Sequence, residues 1–251
     1  MLPEIRIIGL TGMPEVAEGA NLGDLICNEV KGQHLILNDK DILVVTQKVV
    51  SKAEGQITDL KEIEPSYMAM QLASDYNKDP RLVEIVLRES KRIVRMDRGV
   101  IISETHHGFI CANAGVDSSN NTDIGKVSLL PKNPDVSANK IRKSIHMALG
   151  IKVGIIISDT FGRPWREGAT NVAIGVSGIN PLKDYRGESD LAGYSLKTTT
   201  IAIADELAAA AELVMSKLDR VPVAVIKGYY YNPRDTGINS LLRNPDRDLF
   251  R

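Results

Sequence analysis

Oxygen-bearing side chains lie at the ends of segments that the sequence predicts to be strands. Asp159 and Thr160 come shortly after the apolar residues 153–157, and Asp117 lies in a polar loop that follows a predicted hairpin. Carboxylate and hydroxyl oxygens are ligands that Mg²⁺ and Mn²⁺ prefer in proteins. Taken singly, each residue is more simply explained as a turn residue or a surface charge. A metal site therefore requires that these positions converge in the fold.

Basic side chains occur at comparable positions. Lys48 and Lys52 follow residues 42–46, a second predicted buried strand, and Arg163 lies in residues 161–168, a glycine-containing segment that we predict to be a loop. Lysine neutralises phosphate oxygens as a point charge, and arginine binds them through two parallel hydrogen bonds. The alternative is that these charges form only a solvated surface. In combination with the aspartates, they favour a site that handles phosphoryl groups.

The overall composition argues against several classes of protein. A net charge of −1 over 251 residues is not that of a general nucleic-acid-binding protein. No apolar run approaches the roughly 18 residues that suggest a membrane span, and the first residues show no signal-peptide pattern. Cys27 and Cys111 form no CxxC motif, so we expect two buried thiols in a reducing, cytoplasmic setting.

The common catalytic and nucleotide-binding motifs are absent. The sequence contains no GxxxxGKS or GxxxxGKT, no GxGxxG after a strand, no GxSxG and no HExxH. With only two cysteines, which lie far apart in the sequence, no structural zinc site is indicated. The pair His106 and His107 is better explained as a solvated hairpin turn than as two metal ligands.

The predicted elements interleave without a regular βαβ rhythm. Strands are predicted at residues 4–10, 42–46, 100–103, 109–111, 126–130, 153–157, 171–178 and 221–226, and helices at 21–30, 65–76, 79–90, 137–149 and 203–217. This order favours an α+β fold with mixed sheets over a doubly wound sheet. Because no repeat or linker is visible, we expect one unit over residues 1–251, which leaves room for two intertwined lobes.

Several blocks of sequence resemble one known family. They are residues 46–55 (TQKVVSKAEG), 113–120 (NAGVDSSN), 158–163 (SDTFGR), 173–179 (AIGVSGI) and 190–193 (DLAG). In this order and composition they are similar to the coenzyme F420-0:L-glutamate ligases, also called F420 gamma-glutamyl ligases, of the stand-alone archaeal type. The blocks lie between about residues 12 and 228, so the resemblance covers most of the chain.

The resemblance implies a reaction, a fold and a set of partners. Members of this family are GTP-dependent ligases that add L-glutamate, by γ-linked bonds, to the phospholactyl tail of coenzyme F420-0. The reaction passes through an acyl phosphate. The family implies two divalent cations, Mg²⁺ or Mn²⁺, with K⁺ as an additional cation in some members. It also implies a homodimer with an intertwined, two-lobed mixed α/β fold.

The resemblance also implies roles for individual residues. Asp117 and Asp159 would bind one metal ion and Thr160 the second, while Lys52 and Arg163 would stabilise the γ-phosphate during transfer. The expected GTP contacts are Met13, Pro14, Glu15, Val16, Gln47, Lys48, Lys52, Asn120 and the segment 215–222. Some members have a Ser-Thr pair where this chain has Gln47 and Lys48. The resemblance therefore gives weaker support for a GTP contact at these two positions.

Two alternatives use the same residues differently. One is another metal-dependent enzyme that uses a nucleotide, either a carboxylate–amine ligase with a different acceptor or a kinase. The other is a non-catalytic protein that binds a deazaflavin or a nucleotide. The intact set of Asp117, Asp159, Thr160 and Lys52 argues against the second alternative, because a degenerate site is expected to have lost at least one of them.

Overall fold

The computed structural model describes residues 2–118 and 125–248. The α-helices in those ranges are α1 (Leu22–Gly32), α2 (Gln47–Ala53), α3 (Tyr67–Tyr76), α4 (Pro80–Arg88), α5 (Pro134–Leu149) and α6 (Ile203–Met215). The strands there are β1 (Arg6–Leu10), β2 (Ile42–Thr46), β3 (Ile57–Asp59), β4 (Ser90–Asp97), β5 (Val100–Thr105), β6 (Ile110–Ala112), β7 (Lys126–Ser128), β8 (Gly154–Arg163), β9 (Arg166–Ser177), β10 (Lys183–Asp184), β11 (Thr200–Ile201) and β12 (Val223–Lys227). Mixed helices and strands confirm the α+β class.

A five-stranded sheet in the order β1-β12-β2-β8-β9 forms the centre of the fold. Within this sheet β2 and β8 run parallel, and the other neighbouring pairs are antiparallel. Leu10 lies opposite Val223, Val223 opposite Val45, and Thr46 opposite Ser158. The ends of β1 and β2 and the start of β12 therefore meet one another beside the point where β8 leaves the core. We refer to this margin of the sheet as the site edge.

The central strands are buried on both faces. Residues 42–45 of β2 and 154–158 of β8 are all buried, which explains why both segments are continuously apolar up to their ends instead of alternating. Helix backbones approach the sheet closely. A Cβ added at Gly175 would lie 2.5 Å from the Cβ of Pro134 in α5, and one at Gly9 would lie 3.0 Å from the Val214 carbonyl oxygen in α6.

A second, smaller group of buried apolar residues lies apart from the main core. Helices α3 and α4 and the antiparallel sheet β4-β5-β6 contribute to it, with Ala69, Ala73, Val83, Val86, Ile101 and Ala114 as the buried members. In the chain this small unit is inserted between β3 and β7, which pair with each other. That pairing brings the chain back to the larger core close to the point where it left.

The segment at 161–168 is not the loop that the sequence predicts. Strands β8 and β9 continue through it as a hairpin, and Arg163 pairs with Arg166 around a turn at Pro164 and Trp165. The apolar pattern stops at Ser158 because β8 leaves the core there and becomes progressively exposed toward Arg163. A polar sequence at this point therefore marks a change of environment and not the end of the strand.

Other differences from the sequence prediction occur in α5, α2 and β4. Helix α5 begins earlier, because Asn133 rather than Ser137 caps it and its side chain accepts a hydrogen bond from Val136 N at 3.1 Å. Residues 47–53, predicted as a polar strand end, form α2. Ser90, which the sequence predicts as the last residue of a helix, pairs with Thr105 of β5 and begins β4.

The two cysteines and the helix lengths bear on two expectations from the sequence. Cys27 and Cys111 are both free and buried, as expected. Across residues 2–118 and 125–248, no helix has both the length and the apolar character that crossing a membrane requires.

Glu84 on α4 binds Ser66, the residue that caps the start of α3. Its carboxylate accepts hydrogen bonds from Ser66 N at 3.0 Å, from Ser66 Oγ at 2.6 Å and from Arg88 Nε at 2.8 Å. The Ser66 hydrogen bonds, and then that of Arg88, lower the pKa of Glu84 to about 2. We expect Glu84→Ala to lower the free energy of unfolding by about 1–3 kcal/mol at neutral pH.

The pH dependence of this loss follows from the lowered pKa. The stabilisation is present above the usual value of 4.5 and disappears as the pH falls toward 2, so the difference from wild type should shrink over that window. Urea unfolding at a series of pH values measures it. Glu62→Ala, at an exposed glutamate, is the matched control. Equal unfolding midpoints for Glu84→Ala and wild type at neutral pH would contradict the prediction.

Candidate active site

Asp159 lies on β8 where the strand leaves the core. Its pKa is raised to about 6, chiefly by burial and further by the nearby carboxylate of Asp117. A hydrogen bond from Thr160 N to Asp159 Oδ1 at 2.8 Å and the charges of Lys217 and Lys48 oppose this shift. The site therefore contains two neighbouring carboxylates, and burial contributes more than their repulsion to the raised pKa of Asp159.

Asp117 reaches the site edge from the small unit. Its backbone pairs with Ser128 of β7, through N–H···O hydrogen bonds of 3.0 and 2.8 Å. Its carboxylate oxygen Oδ2 lies 2.8 Å from Nζ of Lys48, which is in the first turn of α2 directly after β2. The ion pair joins the small unit to the central sheet. Both side chains are partly exposed, so a ligand can reach them.

Three consecutive residues with left-handed backbone lead into Asp117. The φ angles of Asn113, Ala114 and Gly115 are 51°, 53° and 73°. A left-handed conformation costs roughly 1–2 kcal/mol for a residue that has a Cβ, so this turn is a strained segment next to a candidate ligand. Glycine is required at 115 for a second reason, because an added Cβ would lie 2.8 Å from Cγ of Leu130.

Thr160 is held by residues from two other elements. Its Oγ1 donates a hydrogen bond to Oδ1 of Asn171, the residue opposite it on β9, at 2.7 Å. Asn171 Nδ2 donates in turn to Glu212 Oε2 of α6, at 2.8 Å. On its other side, Thr160 Oγ1 accepts a hydrogen bond from the Lys217 ammonium group.

Lys52 and the turn after β1 lie beside each other. Lys52 is one helical turn after Lys48 on α2, and its ammonium group forms an ion pair with Glu15. In the same turn, Met13 packs against the main core and Val16 is buried. The turn at residues 13–16 is thus anchored next to Lys52. The predicted GTP contacts require these two elements to lie together. The contact with GTP itself stays a prediction.

The segment that follows α6 also reaches the site edge. Met215 is fully buried and anchors its start, and Thr46 N donates a hydrogen bond to the Pro222 carbonyl oxygen at 2.9 Å. Between these two points Lys217 contacts Thr160. The segment 215–222 therefore passes over the ends of β2 and of the buried part of β8.

Two buried polar atoms at the site edge have no hydrogen-bond partner among the described residues. They are Nε2 of Gln47, at the start of α2, and Oγ of Ser158, which precedes Asp159. An unpaired buried polar group costs about 1–3 kcal/mol, so a folded protein usually supplies a partner. Their position, where β2 ends and the parallel strand β8 leaves the core, is suited to a polar ligand.

Two predicted site residues are not brought to this cluster by the described contacts. Arg163 lies four residues beyond Asp159, which is roughly 13 Å along an extended strand. Its guanidinium group donates to the carbonyl oxygens of Glu167 at 2.9 Å and Gly168 at 3.2 Å, within its own hairpin. The role of Arg163 with phosphate stays a prediction. Asn120 lies outside the described residues.

Ser158, Asn171 and Glu212 were missed as site residues by reasoning from the sequence. A hairpin prediction with its turn at Pro164 and Trp165 would have placed Asn171 close to Thr160. Glu212 carries no such signal, because only the packing of an alanine-rich helix on the sheet brings its carboxylate to Asn171.

Comparison with known proteins agrees with the blocks of sequence quoted above. The family model described as F420-0:Gamma-glutamyl ligase matches residues 11–228. The chain belongs to this family. A coenzyme F420:L-glutamate ligase from Methanothermobacter thermautotrophicus is 48% identical, over 98% of this chain and 99% of that protein. Proteins of the same name from Methanocaldococcus jannaschii (45% identical, 99% and 97%) and Archaeoglobus fulgidus (37% identical, 98% and 96%) also match.

The candidate ligands in this F420-0:gamma-glutamyl ligase family member are oxygen atoms. They suit a hard divalent ion that also binds water or substrate oxygens. Among the described residues, no group of three or more His, Cys, Asp and Glu side chains is placed to hold a metal ion. The carboxylates of Asp117 and Asp159 and the Thr160 hydroxyl form an incomplete set of oxygens. Mg²⁺ commonly binds through one or two carboxylates and completes its shell with water and substrate phosphates. The residues therefore fit the cations that the family implies.

The raised pKa of Asp159 predicts that this residue lowers the stability of the metal-free protein. Because the folded-state pKa of about 6 exceeds the ordinary 3.8, stability is lost as the pH rises through this window, and the full cost is present above it. We expect Asp159→Asn, freed of metal by chelation, to be more stable than wild type by about 1–3 kcal/mol at pH 7.5. Near pH 4 the advantage should be absent.

Chemical unfolding in the presence of a chelator at both pH values measures this difference. Asp75→Asn, at an exposed aspartate on α3, is the matched control and should show no stabilisation. A wild-type protein that is as stable as Asp159→Asn at pH 7.5 would contradict the electrostatic description of the site.

Proposed function

We propose that the protein ligates L-glutamate to coenzyme F420-0 through γ-linked amide bonds and uses GTP to activate the acceptor. Family membership supports the reaction class, since relatives that match nearly the whole chain are coenzyme F420:L-glutamate ligases. The observation that carries the proposal is the convergence of oxygen ligands and lysines where β2 ends and β8 leaves the core. The converging residues are Asp117, Asp159, Thr160, Lys48, Lys52 and Lys217.

The proposed reaction has two steps. A carboxylate oxygen of the acceptor attacks the γ-phosphorus of GTP, the bond to the bridging oxygen breaks, and GDP leaves. The product is an acyl phosphate, whose carbonyl carbon is a far better electrophile than a free carboxylate. The amine of L-glutamate then attacks that carbon, phosphate leaves with the bonding electron pair, and the amine loses a proton to give the amide.

The lysines at the site edge would position and neutralise the phosphates. Lys48 and Lys52 lie one turn apart on α2, and Lys217 reaches the same region from the segment after α6. Phosphoryl transfer needs little covalent chemistry from a protein, so position and charge supply most of the rate. By analogy with a lost oxyanion donor, removal of one such group would reduce kcat by about 10²–10³-fold. The unpaired Nε2 of Gln47 would donate to a nucleotide oxygen.

Asp117 and Asp159 would hold one divalent cation, and the Thr160 hydroxyl would contact a second. Bound Mg²⁺ or Mn²⁺ supplies charge neutralisation for the attacking and leaving oxygens. A neutral hydroxyl at the second position adds no further negative charge to a site that already contains two neighbouring carboxylates. K⁺ and the homodimer, which the family resemblance implies, remain predictions.

The product formed by the purified protein tests this proposal. Incubation with coenzyme F420-0, L-glutamate, Mg²⁺ and GTP should give a product heavier by one or more glutamyl residues, detected by mass spectrometry, with GDP released in step. Replacing GTP by ATP tests the choice of nucleotide. Asp159→Asn should reduce the rate by more than about 100-fold.

Two comparisons complete this experiment. Asp75→Asn should keep the wild-type rate, because its side chain is exposed on α3. GDP release that does not need coenzyme F420-0 would indicate a different acceptor. Unchanged coenzyme mass with folded wild-type protein would overturn the proposed reaction.

A further inference from the structure

The hydrogen bonds around Thr160 fix the direction of its hydroxyl proton. An ammonium group only donates hydrogen bonds, so Thr160 Oγ1 must accept from Lys217. A hydroxyl has a single proton, so Thr160 can donate only one hydrogen bond. The acceptor of that bond is the remaining partner, Asn171 Oδ1, at 2.7 Å. The proton of Thr160 therefore points into the protein, and its lone pairs face the Lys217 side.

Glu212 fixes the orientation of the Asn171 amide. Asn171 is 3% exposed, and its Nδ2 lies 2.8 Å from Glu212 Oε2. Because an ionised carboxylate only accepts hydrogen bonds, the NH₂ group of Asn171 must face Glu212, which leaves the amide oxygen facing Thr160. If the amide were reversed, its NH₂ group would donate to Thr160, and the hydroxyl proton would turn outward.

The three contacts form a chain of hydrogen bonds with one direction. Lys217 donates to Thr160, Thr160 donates to Asn171, and Asn171 donates to Glu212. Consecutive hydrogen bonds that all donate in the same direction polarise one another. This series of hydrogen bonds ends at the carboxylate of Glu212. The contact with Lys217 is itself evidence that the Thr160 oxygen accepts a positively charged partner.

We infer that Asn171 and Glu212 are positioning residues that present the Thr160 oxygen as an acceptor for a divalent cation. This inference rests on the proposed function, in which Thr160 contacts the second metal ion. The two residues come from β9 and α6, so the packing of α6 on the sheet determines whether Thr160 offers a lone pair or a proton to the site. Glu212 acts at a distance, through Asn171, and does not touch the cation.

A pair of substitutions at Glu212 separates positioning from general structure. Glu212→Gln keeps an oxygen that accepts from Asn171, whereas Glu212→Leu has similar size and no acceptor. Loss of a group that orients a metal ligand typically weakens metal binding by about 10- to 100-fold. We expect this loss for Glu212→Leu at one of two Mn²⁺ sites, and Glu212→Gln should bind Mn²⁺ nearly as wild type does.

Mn²⁺ titration with a non-hydrolysable GTP analogue, followed by electron paramagnetic resonance of the free ion, measures both sites. Thr160→Val should lose the same site that Glu212→Leu weakens. In steady-state assays, Glu212→Leu should raise the Mg²⁺ concentration for half-maximal rate, with kcat at saturating Mg²⁺ nearly unchanged. Glu206→Leu removes an exposed carboxylate from the same helix and serves as the control. Circular dichroism melting of each variant reports folding separately.

The outcomes distinguish the possible failures. If Thr160→Val loses a Mn²⁺ site while folded Glu212→Leu binds as wild type does, the positioning role is wrong and the metal contact of Thr160 stands. If Thr160→Val binds Mn²⁺ as wild type does, both the positioning role and the metal contact of Thr160 are wrong. Ligation of glutamate by the wild-type protein, measured in parallel, shows whether the proposed reaction survives either result.

Discussion

The parallel pairing of β2 with β8 is the constraint on which the candidate site depends. Thr46 and Ser158 lie opposite each other in that pair, so the residues that follow each of them emerge at the same edge. Lys48 follows β2, and Asp159 continues β8. An antiparallel pairing would have put these groups at opposite ends of the sheet. Ligand sites of many α/β sheets lie at the carboxyl ends of parallel strands. The candidate site lies beside a single parallel pair.

Charge balance at this edge explains why the site is compatible with folding. Asp117 is paired with Lys48 and Glu15 with Lys52, so these carboxylates do not stand as uncompensated charges. Asp159 is the exception, because burial and the neighbouring Asp117 raise its pKa to about 6. Functional sites commonly retain such unfavourable groups at the expense of stability. A bound cation would offset the repulsion, which links ligand binding to stability through the same residue.

The sequence alone predicted the elements that depend on a local pattern of apolar residues. Apolar runs predicted β2, the buried part of β8 and β12, and the family resemblance predicted that Asp117, Asp159 and Thr160 share one region. The extension of β8 to Arg163 was not visible, because a strand that leaves the core loses its apolar pattern while it keeps its hydrogen bonds. The chain from Thr160 through Asn171 to Glu212 was also hidden, since it depends on how α6 packs on the sheet.

Anomalous scattering from manganese is the most direct test of the central claim. This claim is that the end of β2, the point where β8 leaves the core and the small unit together build a metal and phosphate site. Crystals grown with Mn²⁺ and a non-hydrolysable GTP analogue should show two peaks. We expect one peak shared by the carboxylates of Asp117 and Asp159, and a second within about 2.5 Å of Thr160 Oγ1, with phosphate oxygens on both. Nucleotide and manganese bound away from these three residues would contradict the claim.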